Sequence, residues 1–409
     1  MPFRLYFFGI IAFIVVVGVF FLGVAFVPAQ TTTDFAPWKD AKNAENIPDW
    51  VRLMLTRDFR NVTGTDRDEL LANTLEALVE IISDPNVVPA TRYNAILAAG
   101  QLEVSPGNPS TAYPAALEYL ANVYQRADAP YYLKYGALLG IVRHALLGID
   151  PAYRDKVVVL LLETAAMEFV AGHADMLEPA TWNWFRQTAL DGLSAVKTTG
   201  MDGIVVSELL HVINRQSQKL ESLFDGQDIF LRETWKQTCE TIELASKVAK
   251  TLGDLDYQPA SDVDAQEMTD SFIRLTKVVC DVMHKMAADF IELEKTTPDP
   301  AILSERIVVN IKICTQSVVW GIRSGFLTTS KSGENSFYAS LKSDDPSLKR
   351  LDVLMSEIVE LSNFFDEGDK AKRTIAIPNM PKAFKFDILE LRDFLKKCSD
   401  ALMKIQGHL

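Results

Sequence analysis

Two short patterns pair a carboxylate with a histidine at a spacing that metal sites use. Glu208 precedes His211 by three residues, and Asp281 precedes His284 by three residues. On a helix such residues share a face, which is how ferritin-like di-iron sites present a carboxylate and an imidazole together. A chain with five histidines and 54 acidic residues forms such pairs by chance. A carboxylate–histidine metalloprotein is therefore an alternative prediction, and its remaining ligands would come from Glu163 or Glu168 and from Glu240 or Glu243.

Other motifs that carry catalytic or phosphate-binding chemistry are missing from the sequence. It contains neither a P-loop nor a GxGxxG turn after an apolar strand-like run, and neither GxSxG, HExxH nor an EF-hand loop. We therefore predict a protein that is not an enzyme, that uses no cofactor and that has no small-molecule substrate.

The charge balance excludes one class of partner. The chain has 409 residues and a net charge of −13. Nonspecific binding to nucleic acid requires clustered lysine and arginine to neutralise phosphates. We therefore expect no nucleic-acid partner.

Two aromatic clusters are candidates for a protein-binding surface. The first comprises Tyr131, Tyr132 and Tyr135, and the second comprises Trp182 and Trp184. Aromatic side chains often anchor interfaces, but they also supply large buried areas between helices. The sequence leaves both interpretations open, and we take these five residues as the predicted partner-binding residues.

The four cysteines form no recognisable motif. Cys239, Cys280, Cys314 and Cys398 are widely spaced and contain no CxxC pair. This spacing argues against a zinc ribbon and against a thioredoxin-type motif. Each cysteine lies in a mostly apolar stretch, where it is expected to act as a small buried hydrophobe. Their redox state is left open by the sequence.

The N-terminus contains a segment long enough to span a membrane. Leu5–Val27 is an uncharged run of 23 residues that follows Arg4. A helix of that length is about 34 Å long, which exceeds a hydrocarbon core of about 30 Å. The positive-inside rule places the N-terminus in the cytoplasm and the main body outside. The alternative is a signal that is cleaved after Ala29, which would give a secreted protein.

Helical periodicity dominates the remainder of the chain and contains an internal echo. Residues 92–97, 134–139 and 186–191 each place a basic residue three positions before an alanine, and a glycine follows within about another turn. The spacings of 42 and 52 residues are near the roughly 40–47 residues of HEAT and armadillo repeats. The pattern predicts an all-α fold built from helix pairs.

Residues 66–200 resemble HEAT-type helical repeats, and Pro89, Arg92, Ala95 and Leu97 are the best match to the second helix of that pattern. The resemblance implies an α-solenoid whose surface binds other proteins, and it implies no catalytic residue. Beyond it, we predict helices at about 265–296, 300–324, 346–366 and 384–406, which would form a four-helix bundle.

The predicted organisation has four parts: an anchor at 1–29, an extended spacer at 30–65, a HEAT-like repeat domain at 66–253 and a C-terminal bundle at 265–409. A non-enzymatic, membrane-anchored scaffold or adaptor outside the cytoplasm is the predicted function. A structural component of the cell envelope is a further alternative, because helical folds of this kind serve many roles.

Overall fold

The protein is predominantly helical in the computed structural model, which agrees with the predicted all-α class. The structure describes residues 35–40, 46–59, 62–105, 111–168, 179–223, 232–257, 263–296, 337–341, 343–370 and 388–406. The predicted membrane segment Leu5–Val27 lies outside these ranges. Within them, no helix combines the length and the apolar character needed to cross a membrane.

The helices of the described ranges are, in chain order, α1 (Ile47–Leu53), α2 (Thr65–Ser83), α3 (Pro89–Ala99), α4 (Pro114–Gln125), α5 (Tyr131–Leu147), α6 (Pro151–Ala166), α7 (Pro179–Val196), α8 (Ile204–Leu223), α9 (Arg232–Asp254), α10 (Ala265–Thr296), α11 (Phe337–Ser340), α12 (Pro346–Lys370) and α13 (Ile388–Gln406). Short 3-10 turns cover Ala36–Lys39 and Met201–Gly203, and a π-type turn at Met54–Asp58 extends α1. Two short strands, β1 (Glu103–Ser105) and β2 (Thr111–Ala112), pair antiparallel.

The prediction of an extended spacer is wrong where the structure describes this region. Trp38 is 1% exposed and Ile47 is 0% exposed, and both belong to the hydrophobic core. Pro37 and Pro48 occupy the first turn of a 3-10 helix and of α1. Proline is favoured there because its missing N–H has no helical partner at that position.

Consecutive helices pack as pairs, and the second helices of the pairs pack on one another. Each pair α2/α3, α4/α5, α6/α7 and α8/α9 is in contact. The second helices α3, α5, α7 and α9 also contact each other in sequence. These contacts bring the beginnings of α3, α5 and α7 side by side.

The echo in the sequence corresponds to equivalent buried positions in three helices. Ala95 of α3, Ala137 of α5 and Ala189 of α7 are all 0% exposed. The residues that follow them, an isoleucine and two leucines, are 0% exposed as well. Small buried side chains let neighbouring helices approach closely, so the repeated alanine marks the buried face of each second helix.

Two basic residues of the echo also make the same contact. Arg92 Nε donates to the carbonyl of Ile82 at 2.8 Å, and Arg186 Nε donates to the carbonyl of Ala165 at 3.0 Å. Each acceptor is the last residue but one of the preceding helix. Cations near a helix C-terminus satisfy carbonyls that have no partner within the helix. In two of the three pairs that contain the echo, α2/α3 and α6/α7, the arginine of the second helix thus caps the first helix.

A glycine of the echo permits the closest approach between α3 and α5. A Cβ placed on Gly100 would lie 2.5 Å from the Cα of Gly140. The backbone of Gly100 is right-handed, with φ of −67°. Replacing a glycine in that conformation by alanine ordinarily stabilises a protein by about 0.4–1 kcal/mol. Glycine is therefore required at position 100 because a Cβ atom would not fit there, and not because of the backbone conformation.

We expect Gly100→Ala to have the opposite sign and to lower the free energy of unfolding by roughly 1–3 kcal/mol, because the added methyl group forces two backbones apart. Urea denaturation followed by circular dichroism measures the change. Asn94→Ala, on the partly exposed side of the same helix, is the control and should change stability by less than about 0.5 kcal/mol. Stabilisation by Gly100→Ala would contradict the close contact.

The C-terminal helices pack against the same core as the preceding helix pairs. The predicted helix at 265–296 agrees with α10, and those at 346–366 and 384–406 correspond to α12 and α13. The predicted helix at 300–324 lies outside the described residues, so the four-helix bundle stays a prediction. α10 packs on α8 and α13, and one hydrophobic cluster runs from Trp38 to Leu402. The predicted boundary at 253–265 therefore coincides with no break in that cluster.

Candidate interaction surface

The first two turns of α3, α5 and α7 form one edge of the layer of second helices, which we call the N-terminal edge. The guanidinium of Arg92 lies 6.0 Å from the ring centroid of Tyr132. The rings of Tyr135 and Phe185 are 5.1 Å apart. These contacts join α3 to α5 and α5 to α7 near their beginnings, where the predicted aromatic residues lie.

Phe185 is the centre of the aromatic packing on this edge. It is 2% exposed, and its ring centroid lies 5.9 Å from that of Trp182 and 6.4 Å from that of Tyr124. Tyr124 shares a hydrogen bond of 2.7 Å with the hydroxyl of Thr164. Burial raises the pKa of Tyr124 to about 12, so its phenol stays neutral at physiological pH. The cluster joins α4, α5, α6 and α7.

The structure separates the five predicted partner-binding residues. Tyr131, Tyr132, Tyr135 and Trp182 are partly buried, and the three tyrosines pack against the hydrophobic core. Trp184 differs, because it is 58% exposed. The core interpretation therefore describes most of this set, and Trp184 is the member whose side chain faces solvent.

A second exposed hydrophobic residue lies at the end of α6. Met167 follows the last residue of α6 and is 43% exposed. Arg186 of α7 binds the carbonyl of Ala165 at this end of α6. Met167 is two residues beyond Ala165 along the chain, and Trp184 is two residues before Arg186.

Positive charge is concentrated where the end of α6 meets α7 and α8. Arg215 of α8 donates from Nη2 to the carbonyl of Ala166 at 2.9 Å, and its Nε lies 3.1 Å from Glu168 Oε1. Arg186 is 6% exposed, and its Nη2 finds no acceptor among the described residues. Lys219 lies within electrostatic reach of Arg186 and Glu168. A buried guanidinium nitrogen without an acceptor favours an additional oxygen ligand.

The pKa values of Arg186 and Lys219 also show that the basic residues lie close to one another. Burial and, to a smaller extent, the nearby Arg215 lower the pKa of Arg186 to about 10, and Glu168 opposes both. Burial also lowers the pKa of Lys219, as does the charge of Arg186. Cations that depress one another's pKa values are stabilised when an anion arrives. Glu168 is the carboxylate that the structure places among these cations, 3.1 Å from Arg215 Nε.

The residues of the alternative metal site have other partners. Glu208 Oε2 lies 3.9 Å from His211 Nδ1, and both side chains are well exposed on α8. Asp281 accepts from Ser399 and lies 2.7 Å from Lys277 Nζ, while His284 Nδ1 is 2.9 Å from the carbonyl of Arg392. Among the described residues, no group of three or more histidines, cysteines, aspartates and glutamates is placed to hold a metal ion.

Several residues that matter here carried no signal in the sequence. Phe185 and Arg215 belong to no motif, and their roles depend on contacts between different helices. Arg186 was part of the echo, and its position three residues before a buried alanine marks it as a cap. Its burial could not be read from the sequence, because the side chain is covered by residues distant along the chain.

Comparison of the chain with protein-family models and with curated proteins finds no match.

Proposed function

We propose that the protein is a non-enzymatic helical scaffold that binds a protein partner through the N-terminal edge. In this proposal the paired helices of 66–253 are a HEAT-like α-solenoid, and Leu5–Val27 anchors the chain with its main body outside the cytoplasm. The stacking of α3, α5, α7 and α9 supports the solenoid interpretation. The length and apolar character of Leu5–Val27 support the anchor.

The observation that carries the proposal is the exposed Trp184 near the beginning of α7. Trp184 offers a large apolar surface on a rigid helix, and tryptophan is enriched among residues that dominate binding energy. The two residues that follow it, Phe185 and Arg186, pack inward and hold this part of α7 in place. The partner is therefore expected to present a hydrophobic surface that covers the indole.

Trp184→Ala should reduce recovery of the partner by at least about tenfold, since truncating a dominant interface residue costs about 2 kcal/mol or more. The test is crosslinking in intact cells, followed by affinity capture from the membrane fraction and quantitative mass spectrometry. The stability of the variant should stay near that of the wild type, because more than half of the Trp184 side chain is already exposed.

Met201→Ser is the matched control. Met201 is 77% exposed and follows the C-terminal end of α7, whereas Trp184 lies near its beginning. This variant should recover the partner at the wild-type yield. Equal recovery by the Trp184→Ala variant and the wild type, or absence of any protein above background with either, would contradict the proposed edge.

A further inference from the structure

Two of the four cysteines meet in the core although 118 residues separate them. The Sγ atoms of Cys280 on α10 and Cys398 on α13 are 3.6 Å apart. Both side chains are 0% exposed, and both are free thiols in the structure. A disulfide has an S–S distance of about 2.0 Å, so rotation of the side chains and a small shift of the helices would bring the sulfurs within bonding distance.

Polar contacts on both sides of the two sulfurs fix how α13 lies on α10. Next to the cysteines, Ser399 donates a hydrogen bond to Asp281. Further along, His284 Nδ1 lies 2.9 Å from the carbonyl of Arg392. α10 and α13 also share the most extensive helix–helix contact among the described residues. A one-residue slip of α13 would break these contacts, so the approach of Cys280 to Cys398 is specified and not incidental.

We propose that Cys280 and Cys398 form an intramolecular disulfide that ties α13 to α10 in the mature protein. The proposal rests on the extracytoplasmic location proposed above, because disulfides persist in oxidising compartments. It goes beyond the partner-binding function, since neither sulfur lies on the N-terminal edge.

The oxidant is a small or protein-borne disulfide of the oxidising compartment. One cysteine thiolate attacks this disulfide, forms a mixed disulfide and releases one thiolate. The second cysteine thiolate then attacks the protein sulfur of the mixed disulfide and releases the other thiolate. The two cysteine protons protonate the two leaving thiolates. The two cysteine sulfurs are oxidised by two electrons in total, and the external disulfide is reduced to two thiols.

The bond should form during folding and not afterwards. The hydrogen bond to Cys398 and burial both raise the pKa of the Cys280 thiol, which leaves little thiolate to attack an oxidant. Burial also blocks the approach of external disulfides and reductants. Exchange therefore occurs before α13 covers α10, and the completed bond resists reduction until the protein unfolds.

Peptide mapping of the wild-type protein tests the proposal without a substitution. The full chain is isolated from the membrane fraction after acid quenching, alkylated in denaturant without reductant and digested with trypsin. We expect residues 278–285 and 398–404 as one disulfide-linked species, which separates into two peptides after reduction. The double variant Cys239→Ser/Cys314→Ser keeps both cysteines of the pair and should yield the same linked species.

Recovery of both peptides alkylated, or of Cys280 linked to a different cysteine, would overturn the proposal. Refolding the same chain with oxidised and reduced glutathione then identifies the reason. Linkage in this buffer but not in cells would mean that the proposed location is wrong, whereas absence in both would mean that the geometry is wrong. Neither result depends on Trp184, so failure of the partner-binding function is detected separately by the capture experiment.

A second readout is thermal stability. Unfolding of the linked protein should begin at a temperature at least about 5 °C above that of the protein unfolded and refolded in reductant, because a bridge across 118 residues restricts the unfolded chain. Cys398→Ser should abolish the difference between the two conditions. An identical difference in that variant would assign the effect to another cysteine and contradict the proposal.

Discussion

Replacing Arg67 by alanine should lower the free energy of unfolding by about 3 kcal/mol or more. Arg67 is 5% exposed at the beginning of α2. Its guanidinium donates to the carbonyls of Phe59 at 2.7 Å, Glu103 at 2.7 Å and Val104 at 2.5 Å. Each buried acceptor that loses its donor costs roughly 1–3 kcal/mol, less where water can enter. The same side chain therefore holds the segment before α2 and strand β1 on the core.

Arg67→Lys separates the role of charge from that of shape. Lysine keeps the positive charge, but it lacks the planar fork that reaches three carbonyls at once. Burial lowers the pKa of Arg67, which is the response of a cation held mainly by neutral oxygens and not by an ion pair. We expect Arg67→Lys to lose most of the stability that Arg67→Ala loses.

Arg52→Ala is the control for the Arg67 variants. Its side chain is 68% exposed and pairs at 3.2 Å with Asp49, so its loss should cost less than about 1 kcal/mol. Urea denaturation followed by circular dichroism gives all three values. Wild-type stability of the Arg67→Ala variant would contradict the role of this residue.

Lowering the pH from about 7 to about 4 should cost the protein about 3 kcal/mol of stability through His144 alone. His144 of α5 is 0% exposed, and among the described residues neither ring nitrogen meets a partner in hydrogen-bond geometry. Burial and, to a smaller extent, the charge of Arg143 lower the pKa of His144 from 6.5 to about 4. The backbone of Gly100 lies near enough to oppose this shift but does not reverse it.

The direction of the pH effect follows from the two states of His144. Between pH 6.5 and about pH 4, the unfolded chain binds a proton at His144 that the folded protein does not bind. The contribution of His144 to stability is therefore fully present above about pH 6.5 and falls as the pH is lowered across this window. It stops changing once His144 is protonated in both the folded and the unfolded state. A neutral imidazole is the form that packs at the crossing of α3 and α5.

Two variants isolate this contribution from the other titrating groups. His144→Leu should remove about 3 kcal/mol of the difference in stability between pH 7 and pH 4. His211→Leu, whose side chain is 61% exposed on α8, should leave the wild-type pH dependence unchanged. Urea midpoints at four pH values across the window measure the slope. The same slope in His144→Leu as in the wild type would exclude His144 as its source.

The sequence determined the helical class and the main periodic elements. Helical periodicity predicted the all-α fold, and the repeated basic residue and alanine predicted helix pairs, whose second members are α3, α5 and α7. These features are local: a helix needs only a periodic apolar face and suitable ends, which neighbouring residues provide. The prediction that Leu5–Val27 spans a membrane also depends on local residues alone, because an unbroken apolar run needs no distant contact.

Tertiary structure decided which distant residues meet and which side chains are covered. Among the aromatic residues, the sequence could not distinguish the exposed Trp184 from the buried Phe185 beside it. Similarly, no spacing predicts that Cys280 approaches Cys398, since 118 residues intervene. Trp38 was assigned to a spacer, yet it is buried. The physical reason is common to all three: burial depends on which surfaces of separate helices pack together, and that information is distributed over the whole chain.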